Sequence, residues 1–379
     1  MNKVIRIGTR ESQLAVWQAT LVQQLLANNN IAAELVFVKS EGDIDLQTPL
    51  YEIGVQGIFT RSLDTALINN KIDIAVHSMK DVPTQLANGI VQSAVLPRAS
   101  YKDIFVYKED QQELLQQLGY VNGQWAAVNE VNGKWTMDNE VNGKWEMGKN
   151  PQDTSKEIDP SLSINTSTFN SSTFNNLTSN NSTSNNSTFN NTTFTIATSS
   201  IRRMAQWLHR YPNTTIENLR GNVNTRLRKV QASNWHGAIF AAAGLERIQL
   251  RPENSIDLDW MLPAPAQGAI MVVCRAADDF CLAAGALLND AATATCVQIE
   301  RDFLRTLLGG CSTPISALAT LKESKIYFSG NILSPDGKQK AAIEKVIDLN
   351  QSVNAGKFFA EEILNKGADK IVQQIQHAK

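Results

Sequence analysis

The stretch KIDIAVHSMKDVP, residues 71–83, decides how the chain is interpreted. Its first half predicts a strand over 72–76, because four of those five residues are apolar. Its second half places His77, Ser78, Lys80 and Asp81 within five positions and closes with a proline. Ligands of open α/β sheets bind just past the carboxyl ends of strands, so these groups predict a functional site. A polar turn facing solvent would give the same pattern.

Strands and helices alternate outward from this stretch. The predicted strands are 4–9, 33–38, 193–197, 236–241 and 269–274, and the predicted helices are 12–27, 111–118, 201–210, 225–231 and one starting near 60. Such alternation predicts an α/β protein with largely parallel sheets. The C-terminal part predicts a separate α+β domain, with helices near 292–308 and 353–365 and strands at 315–321, 325–333 and 340–349.

Composition restricts the class of protein. The chain has 379 residues, 42% of them hydrophobic and 19% charged, which is typical of a soluble globular protein of two or three domains. The net charge of −2 argues against a nucleic-acid partner. Neither a secretory signal nor a run of about 18 apolar residues is found, so we expect a cytoplasmic protein without a membrane partner. The cysteines form no Cys-x-x-Cys pair, so no metal site is predicted.

Residues 120–192 are interpreted as an insertion without a role in chemistry. The pattern Val-Asn-Gly-x-Trp recurs at 121–125, 131–135 and 141–145. Because Asn-Gly is a strong turn signal, the repeats favour a small hairpin unit. Beyond them, residues 161–191 consist mainly of Asn, Ser and Thr, and this composition predicts disorder.

Three predicted helices begin with arginine, although acidic residues are preferred at helix N-termini. The arginines are Arg10, before the helix with the predicted cap Ser12; Arg202 and Arg203, in the helix that opens at Thr198-Ser199-Ser200; and Arg226, after the predicted cap Thr225. Such an arginine costs up to about 1 kcal/mol unless an anion is bound. Any one of them could be a solvated surface arginine. Together with Arg220, Lys80 and Arg247 near strand or loop ends, they predict a ligand with several negative charges.

Cys311 lies in the loop Gly309-Gly310-Cys311-Ser312, where small neighbours expose its sulfur. A loop thiol can be incidental, but one placed among arginines is a better nucleophile because the thiolate is stabilised. The remaining cysteines, Cys274, Cys281 and Cys296, fall in apolar strand or helix patterns and are predicted to be core thiols.

Taken together, these motifs resemble the porphobilinogen deaminase family. The matching stretches are 7–15, 73–83, 197–203, 219–227, 242–245, 265–269 and 309–311, and they cover nearly everything except the insertion. The resemblance implies two periplasmic-binding-protein-like doubly wound domains and a small α+β C-terminal domain. Domain 1 would comprise residues 1–100 and 267–287. Domain 2 would comprise 101–266 with the insertion, and domain 3 would comprise 288–379 with the cofactor cysteine.

The resemblance also implies an activity. The enzyme would be a transferase of tetrapyrrole and heme biosynthesis that joins four porphobilinogen molecules into hydroxymethylbilane and releases ammonia. Cys311 would hold a dipyrromethane cofactor through a thioether, and Asp81 would stabilise the positive pyrrole nitrogens and assist proton transfer. Cofactor contacts are implied for Lys80, Ser78, Thr198, Ser199, Ser200, Arg202, Arg203 and Arg220, and substrate contacts for Arg10, Ser12, Arg226 and Arg247. We expect a monomer.

Two positions depart from the family pattern. Gln56 replaces a lysine of the active-site loop, although Arg61 keeps a positive charge nearby. Asn224 replaces a glycine, and asparagine tolerates a left-handed φ better than most residues. Two alternatives stay open at this point: an anion-binding module that lost catalysis, and an enzyme impaired or regulated by its insertion.

Overall fold

The computed structural model of the chain describes residues 3–39, 60–108, 112–126, 128–131, 134–137, 194–307 and 313–377. The chain divides into two compact units, Met1–Leu118 with Asn190–Lys379, and Gly119–Phe189. The helices are α1 Gln13–Asn28, α2 Arg61–Ile68, α3 Gln112–Gln117, α4 Ile201–Arg210, α5 Val223–Ala232, α6 Ala242–Glu246, α7 Asp279–Ala286, α8 Ala291–Leu307, α9 Ala355–Ile363 and α10 Asp369–His377.

Seventeen strands are found within the described residues, thirteen of them in the larger unit. These are β1 Ile5–Thr9, β2 Ala33–Phe37, β3 Ile74–Ser78, β4 Ile90–Val95, β5 Asp103–Tyr107, β10 Thr195–Ala197, β11 Thr215–Glu217, β12 Gly237–Ala241, β13 Ser255–Asp257, β14 Ile270–Arg275, β15 Ile315–Lys322, β16 Lys325–Leu333 and β17 Lys340–Asp348. The smaller unit contains β6 Tyr120–Val121, β7 Gln124–Trp125, β8 Val128–Val131 and β9 Lys134–Met137.

Two five-stranded sheets in the larger unit share one topology. The first sheet has the order β2-β1-β3-β14-β4, and the second has the order β11-β10-β12-β5-β13. In each sheet the first three strands are parallel, and the fourth is antiparallel to both of its neighbours. The prediction of largely parallel sheets holds for four of the five strands in each sheet, which run in the same direction, but one strand of each sheet is antiparallel, so the sheets are mixed. The cause is the chain path: it crosses from β4 into β5 of the second sheet and returns from β13 into β14 of the first.

Apolar side chains cover both faces of the first sheet. One face packs against α1 and α7 through residues such as Ile7, Val22 and Cys281. The other packs around α2 through Leu63, Ala75 and their neighbours. Burial on both faces is what a doubly wound sheet requires, and it explains why the β3 sequence is apolar without alternation.

The C-terminal part is an antiparallel β15-β16-β17 sheet covered by α8, α9 and α10. Phe328 packs at its centre between Phe303, edge-to-face, and Phe359, with ring centroids 5.2 and 4.8 Å apart. With the two mixed sheets, this part confirms the predicted fold class. The helix predicted over 353–365 is found as α9, and a break at Gly367, where φ is 102°, separates it from a further helix, α10, that was not predicted.

The smaller unit contains two hairpins, β6–β7 and β8–β9. Asn122 and Gly123 both have positive φ in the first turn, as an Asn-Gly hairpin turn demands. The hairpin prediction is confirmed for these two repeats, whereas the third repeat and the stretch 161–191 lie outside the described residues. Within the described part, no single helix is long and apolar enough to cross a membrane. Helices α7 and α8 together have the length and composition of a span, but they are bent by 108° at the break between them.

The turn between β16 and β17 packs tightly on α4, and we predict that Gly337→Ala is destabilising. A Cβ on Gly337 would lie 2.6 Å from His209 N and 2.7 Å from Ala205 O. Gly89→Ala is the matched control, because Gly89 also has a positive φ but nothing lies within 4 Å of its added Cβ. Denaturant unfolding should show Gly337→Ala to be less stable than Gly89→Ala by about 1–3 kcal/mol. Equal losses of unfolding free energy in the two variants would mean that the contact between Gly337 and α4 leaves room for a Cβ.

Candidate active site

The site begins where β3 ends. The strand runs to Ser78, two residues beyond the predicted end, and a single 3₁₀ turn, Met79–Asp81, follows it. Met79, the first residue of the turn, and Val82, directly after it, are buried, whereas Asp81 is exposed and Lys80 is half-buried. These two apolar anchors thus present the Asp81 carboxylate at the carboxyl edge of the first sheet.

Helix α1 supplies the neighbours of this edge. Ser12 caps the helix as predicted, accepting a hydrogen bond from Ala15 N at 3.4 Å. The buried Gln18 donates from Nε2 to Ser78 Oγ at 2.9 Å, which fixes the hydroxyl of Ser78. Burial, together with the positive charge of Arg10, lowers the pKa of His77 to about 4. The charge of Arg10 therefore acts on the last part of β3.

The low pKa of His77 predicts acid sensitivity. Its folded-state pKa lies below the ordinary 6.5, so between those values the unfolded chain binds the proton more readily. Stability should therefore fall as the pH drops through this window. We expect the wild type to lose about 2–3 kcal/mol more than His77→Gln between about pH 6.5 and pH 4.5, measured by urea unfolding. Parallel pH dependences of the two proteins would contradict this.

Hydroxyl side chains line the start of α4 on the second sheet. Ser200 caps the helix, accepting from Arg203 N at 3.5 Å, and Thr198 Oγ1 accepts from Ser200 N at 3.2 Å. Ser199 Oγ donates to Leu219 O, two residues after the neighbouring strand β11. The three hydroxyls predicted to contact the cofactor thus form one continuous turn.

The two arginines of α4 converge on Asp103, a buried carboxylate that the sequence analysis missed. Arg202 Nη2 donates to Asp103 Oδ2 at 2.7 Å, and Arg203 donates to Oδ1 from Nε at 3.0 Å and from Nη2 at 2.8 Å. Burial would raise the pKa of Asp103, but the charges of Arg202 and Arg203 outweigh it and lower the pKa to about 2. The inference of an external anion at this helix start was therefore incomplete, because an internal carboxylate already neutralises part of the charge.

Gln267 joins the two sheets through its side-chain amide. Its Nε2 donates to Asp103 Oδ1 at 2.9 Å and to Tyr101 O at 2.8 Å. Its Oε1 faces the other way and accepts a hydrogen bond from Lys80 Nζ at 3.1 Å. Burial and the charge of Arg203 lower the pKa of Lys80 to about 8. Lys80 and the arginines of α4 are therefore neighbours, although more than a hundred residues separate them in the chain.

Helix α5 adds Arg226, and here two predictions were wrong. The cap is Asn222, which accepts from Thr225 N at 2.9 Å, and not Thr225. Asn224 is helical; the left-handed residue is Gly221, with φ 111°. Burial and the charge of Arg203 lower the pKa of Arg226 to about 10, while Asp81 acts in the opposite direction.

Arg220 and Arg247 complete the predicted cations. Arg220 is buried, and its charge acts on Arg226. Arg247 follows α6, donates from Nη2 to Gly268 O at 2.7 Å and lies 5.7 Å from the ring centre of Trp17. Burial lowers the pKa of Arg247 to about 10. The predicted Cys311 and Gln56 lie outside the described residues.

Comparison with known proteins identifies the family. Residues 5–122 and 151–283 match the family model of the porphobilinogen deaminase dipyromethane cofactor-binding domain, and residues 294–365 match that of the porphobilinogen deaminase C-terminal domain. The chain belongs to the porphobilinogen deaminase family. It is therefore a transferase of tetrapyrrole biosynthesis that converts porphobilinogen to hydroxymethylbilane. This membership favours the enzyme over the anion-binding module.

Individual relatives agree with the family models. The porphobilinogen deaminase of Syntrophotalea carbinolica is 32% identical over 375 residues, covering 98% of this chain and 96% of the relative. The chloroplastic porphobilinogen deaminase of Oryza sativa subsp. japonica is 31% identical over 384 residues, covering 98% and 87%. The solved VFT2 domain of Bordetella pertussis BvgS has a TM-score of 0.35 at 10% identity, over 75% of this chain and 86% of that one.

Proposed function

We propose that the edge formed by the Asp81 turn, α4 and α5 joins four porphobilinogen molecules, with release of ammonia, on a dipyrromethane primer held by Cys311. One observation carries the proposal. The exposed Asp81 carboxylate acts electrostatically on Lys80 and Arg226, and neither cation has a carboxylate of the described residues within salt-bridge distance. An exposed acid beside partly buried cations suits a reaction whose reactants carry carboxylates and whose reacting atoms become positive.

The donor set fits a primer rich in carboxylates. Burial makes the charged forms of Lys80 and Arg226 costly, and bound carboxylates would offset that cost. The buried Nε of Arg202 has no hydrogen-bond acceptor within the described chain. We assign primer contacts to Lys80, Ser78, Thr198, Ser199, Ser200, Arg202, Arg203 and Arg220, and substrate contacts to Arg10, Ser12, Arg226 and Arg247.

The residues of the chain then act on each incoming substrate. The primer, when bound, supplies the pyrrole carbon to which each unit is joined. Asp81 accepts a hydrogen bond from the substrate pyrrole N–H and stabilises the positive charge on that nitrogen while the carbon–nitrogen bond to ammonia breaks. Asp81 also receives the proton that is released after the new carbon–carbon bond forms. Lys80 and Arg226 hold the carboxylates and so orient the reacting carbons.

The properties of the other cysteines support attachment at Cys311. Cys274, Cys281 and Cys296 are buried, as predicted. Burial raises the pKa of Cys281 to about 12 and that of Cys296 to about 11, so both stay protonated at neutral pH. A protonated, enclosed thiol is a poor nucleophile and leaves no room for a dipyrromethane.

The attachment is tested with Cys311→Ala, and Cys296→Ala serves as a matched control. We expect Cys311→Ala to lose both the covalent adduct, measured by intact-protein mass, and turnover of porphobilinogen. Cys296→Ala should keep both, because its thiol is part of the core. An adduct that persists in Cys311→Ala would place the attachment elsewhere.

We further propose that the enzyme works as a cytoplasmic monomer, without a metal, nucleic-acid or membrane partner, and that the domain boundaries predicted above apply. The net charge of −2 supports the absence of a nucleic-acid partner. The continuous core of each sheet supports the division into domains.

A further inference from the structure

Arg301, on the buried face of α8, contacts the turn that presents Asp81. Its Nη1 donates to Val82 O at 3.0 Å and to Met79 O at 3.3 Å, and its Nη2 donates to Pro83 O at 2.6 Å. The three carbonyls stand before and after Asp81 in sequence. One guanidinium therefore holds both ends of the segment that carries the carboxylate.

The turn depends on outside support. A 3₁₀ turn of three residues has poor hydrogen-bond geometry and is weakly held by itself. Across this turn, Val82 N donates a hydrogen bond to Met79 O at 3.1 Å. Met79 N donates to a residue outside the turn, Ala269 O, at 3.0 Å. The planar fork of an arginine can satisfy several carbonyls at fixed angles, which a lysine ammonium on a flexible stem cannot reproduce.

Helix α8 is itself fixed at the neighbouring residue. Glu300 accepts from Arg98 Nη1 at 2.6 Å, from Ala266 N at 2.6 Å and from Ala319 N at 2.8 Å. Arg98 belongs to the crossing from β4 to β5, and Ala266 to the crossing from β13 to β14. Arg301 therefore projects from an immobilised part of α8, so the place of the Asp81 turn is tied to that helix.

We propose that Arg301 is a positioning residue that sets the location of the Asp81 carboxylate relative to the reacting pyrrole. The proposal rests on the catalytic role proposed for Asp81. Arg301 touches the backbone of the turn, and its effect reaches the reaction through the carboxylate. Because charge stabilisation depends steeply on geometry, a small displacement of the turn should slow the chemical step more than it weakens substrate binding.

The test is Arg301→Lys in the full chain with its cofactor. We expect kcat to fall roughly 10–100-fold while KM stays within about twofold of the wild type. The adduct mass should be unchanged, because Cys311 is untouched. The matched control is Arg275→Lys: Arg275 also donates to backbone carbonyls, those of Leu67 and Ile72, but at the opposite end of β3. It should lose stability while keeping kcat within about twofold.

The outcomes separate this proposal from the function on which it rests. A normal kcat in Arg301→Lys, or an equal fall of kcat in Arg275→Lys, overturns the positioning role. If Asp81→Asn turns over substrate normally, the proposed role of Asp81 has failed. If Asp81→Asn is inactive and Arg301→Lys is fully active, the positioning role alone has failed.

Discussion

Asp81→Asn should lower kcat for hydroxymethylbilane formation by roughly 10²–10⁴-fold, the range typical of losing a general acid–base group. The substitution keeps the shape of the side chain but removes its charge and its capacity to take a proton. Because Asp81 is exposed, the unfolding free energy should change little. The covalent adduct should also be retained, so the loss would lie in the chemistry of chain extension. Steady-state turnover and intact-protein mass measure the two quantities.

A second exposed aspartate provides the control for this substitution. Asp259 pairs with Lys102 at 2.7 Å and is 59% exposed. Asp259→Asn removes the same charge from a position two residues after β13 of the second sheet, and it should leave kcat unchanged. Turnover by Asp81→Asn that is indistinguishable from that of Asp259→Asn would contradict the role assigned to Asp81.

Asp103→Asn should be the most destabilising single substitution among those considered. Asp103 is fully buried and accepts from Arg202, Arg203 and Gln267. Without the carboxylate, two buried guanidinium groups lose their counter-charge, and an amide nitrogen faces donors. Breaking a buried ion pair from one side costs about 3–5 kcal/mol. We expect a loss of that size in the free energy of unfolding, measured with urea.

The control for the buried carboxylate is Asp257→Asn. Asp257 pairs with Lys102 at 2.9 Å and with Arg251 at 2.6 Å, but 29% of its side chain is exposed. Water screens such pairs, so the expected loss is below about 1 kcal/mol. Equal losses for Asp103→Asn and Asp257→Asn would mean that Asp103 does not anchor the arginines of α4.

Local signals allowed much of the fold to be predicted. Helix α4 begins and ends at the predicted residues, because its cap, its apolar spacing and Tyr211-Pro212 beyond its end agree. Asn224 was misjudged because the signal lay three residues earlier, at Gly221, whose left-handed φ makes the turn. The antiparallel strands β5 and β14 could not be foreseen from alternation, since their direction follows from the crossings between the sheets.

The parts of the site that were missed share one property: their partners are distant in sequence. Asp103 contacts arginines about a hundred positions away, and Arg301 contacts carbonyls more than two hundred positions away. Each looks like an ordinary charged residue in its local sequence. A buried charge with no local partner could have been suspected for Asp103, which opens the apolar strand β5. No local signal marks Arg301.

We propose that this chain builds its product on a primer covalently held by Cys311. Intact-protein mass of the purified, folded wild type, followed by peptide mapping, distinguishes a held primer from a bare polypeptide. We predict a mass above that of the 41.7-kDa polypeptide by two linked pyrrole units, located on the peptide that contains Cys311. A folded and active protein with the mass of the bare polypeptide, or an adduct on Cys274, Cys281 or Cys296, would contradict the account.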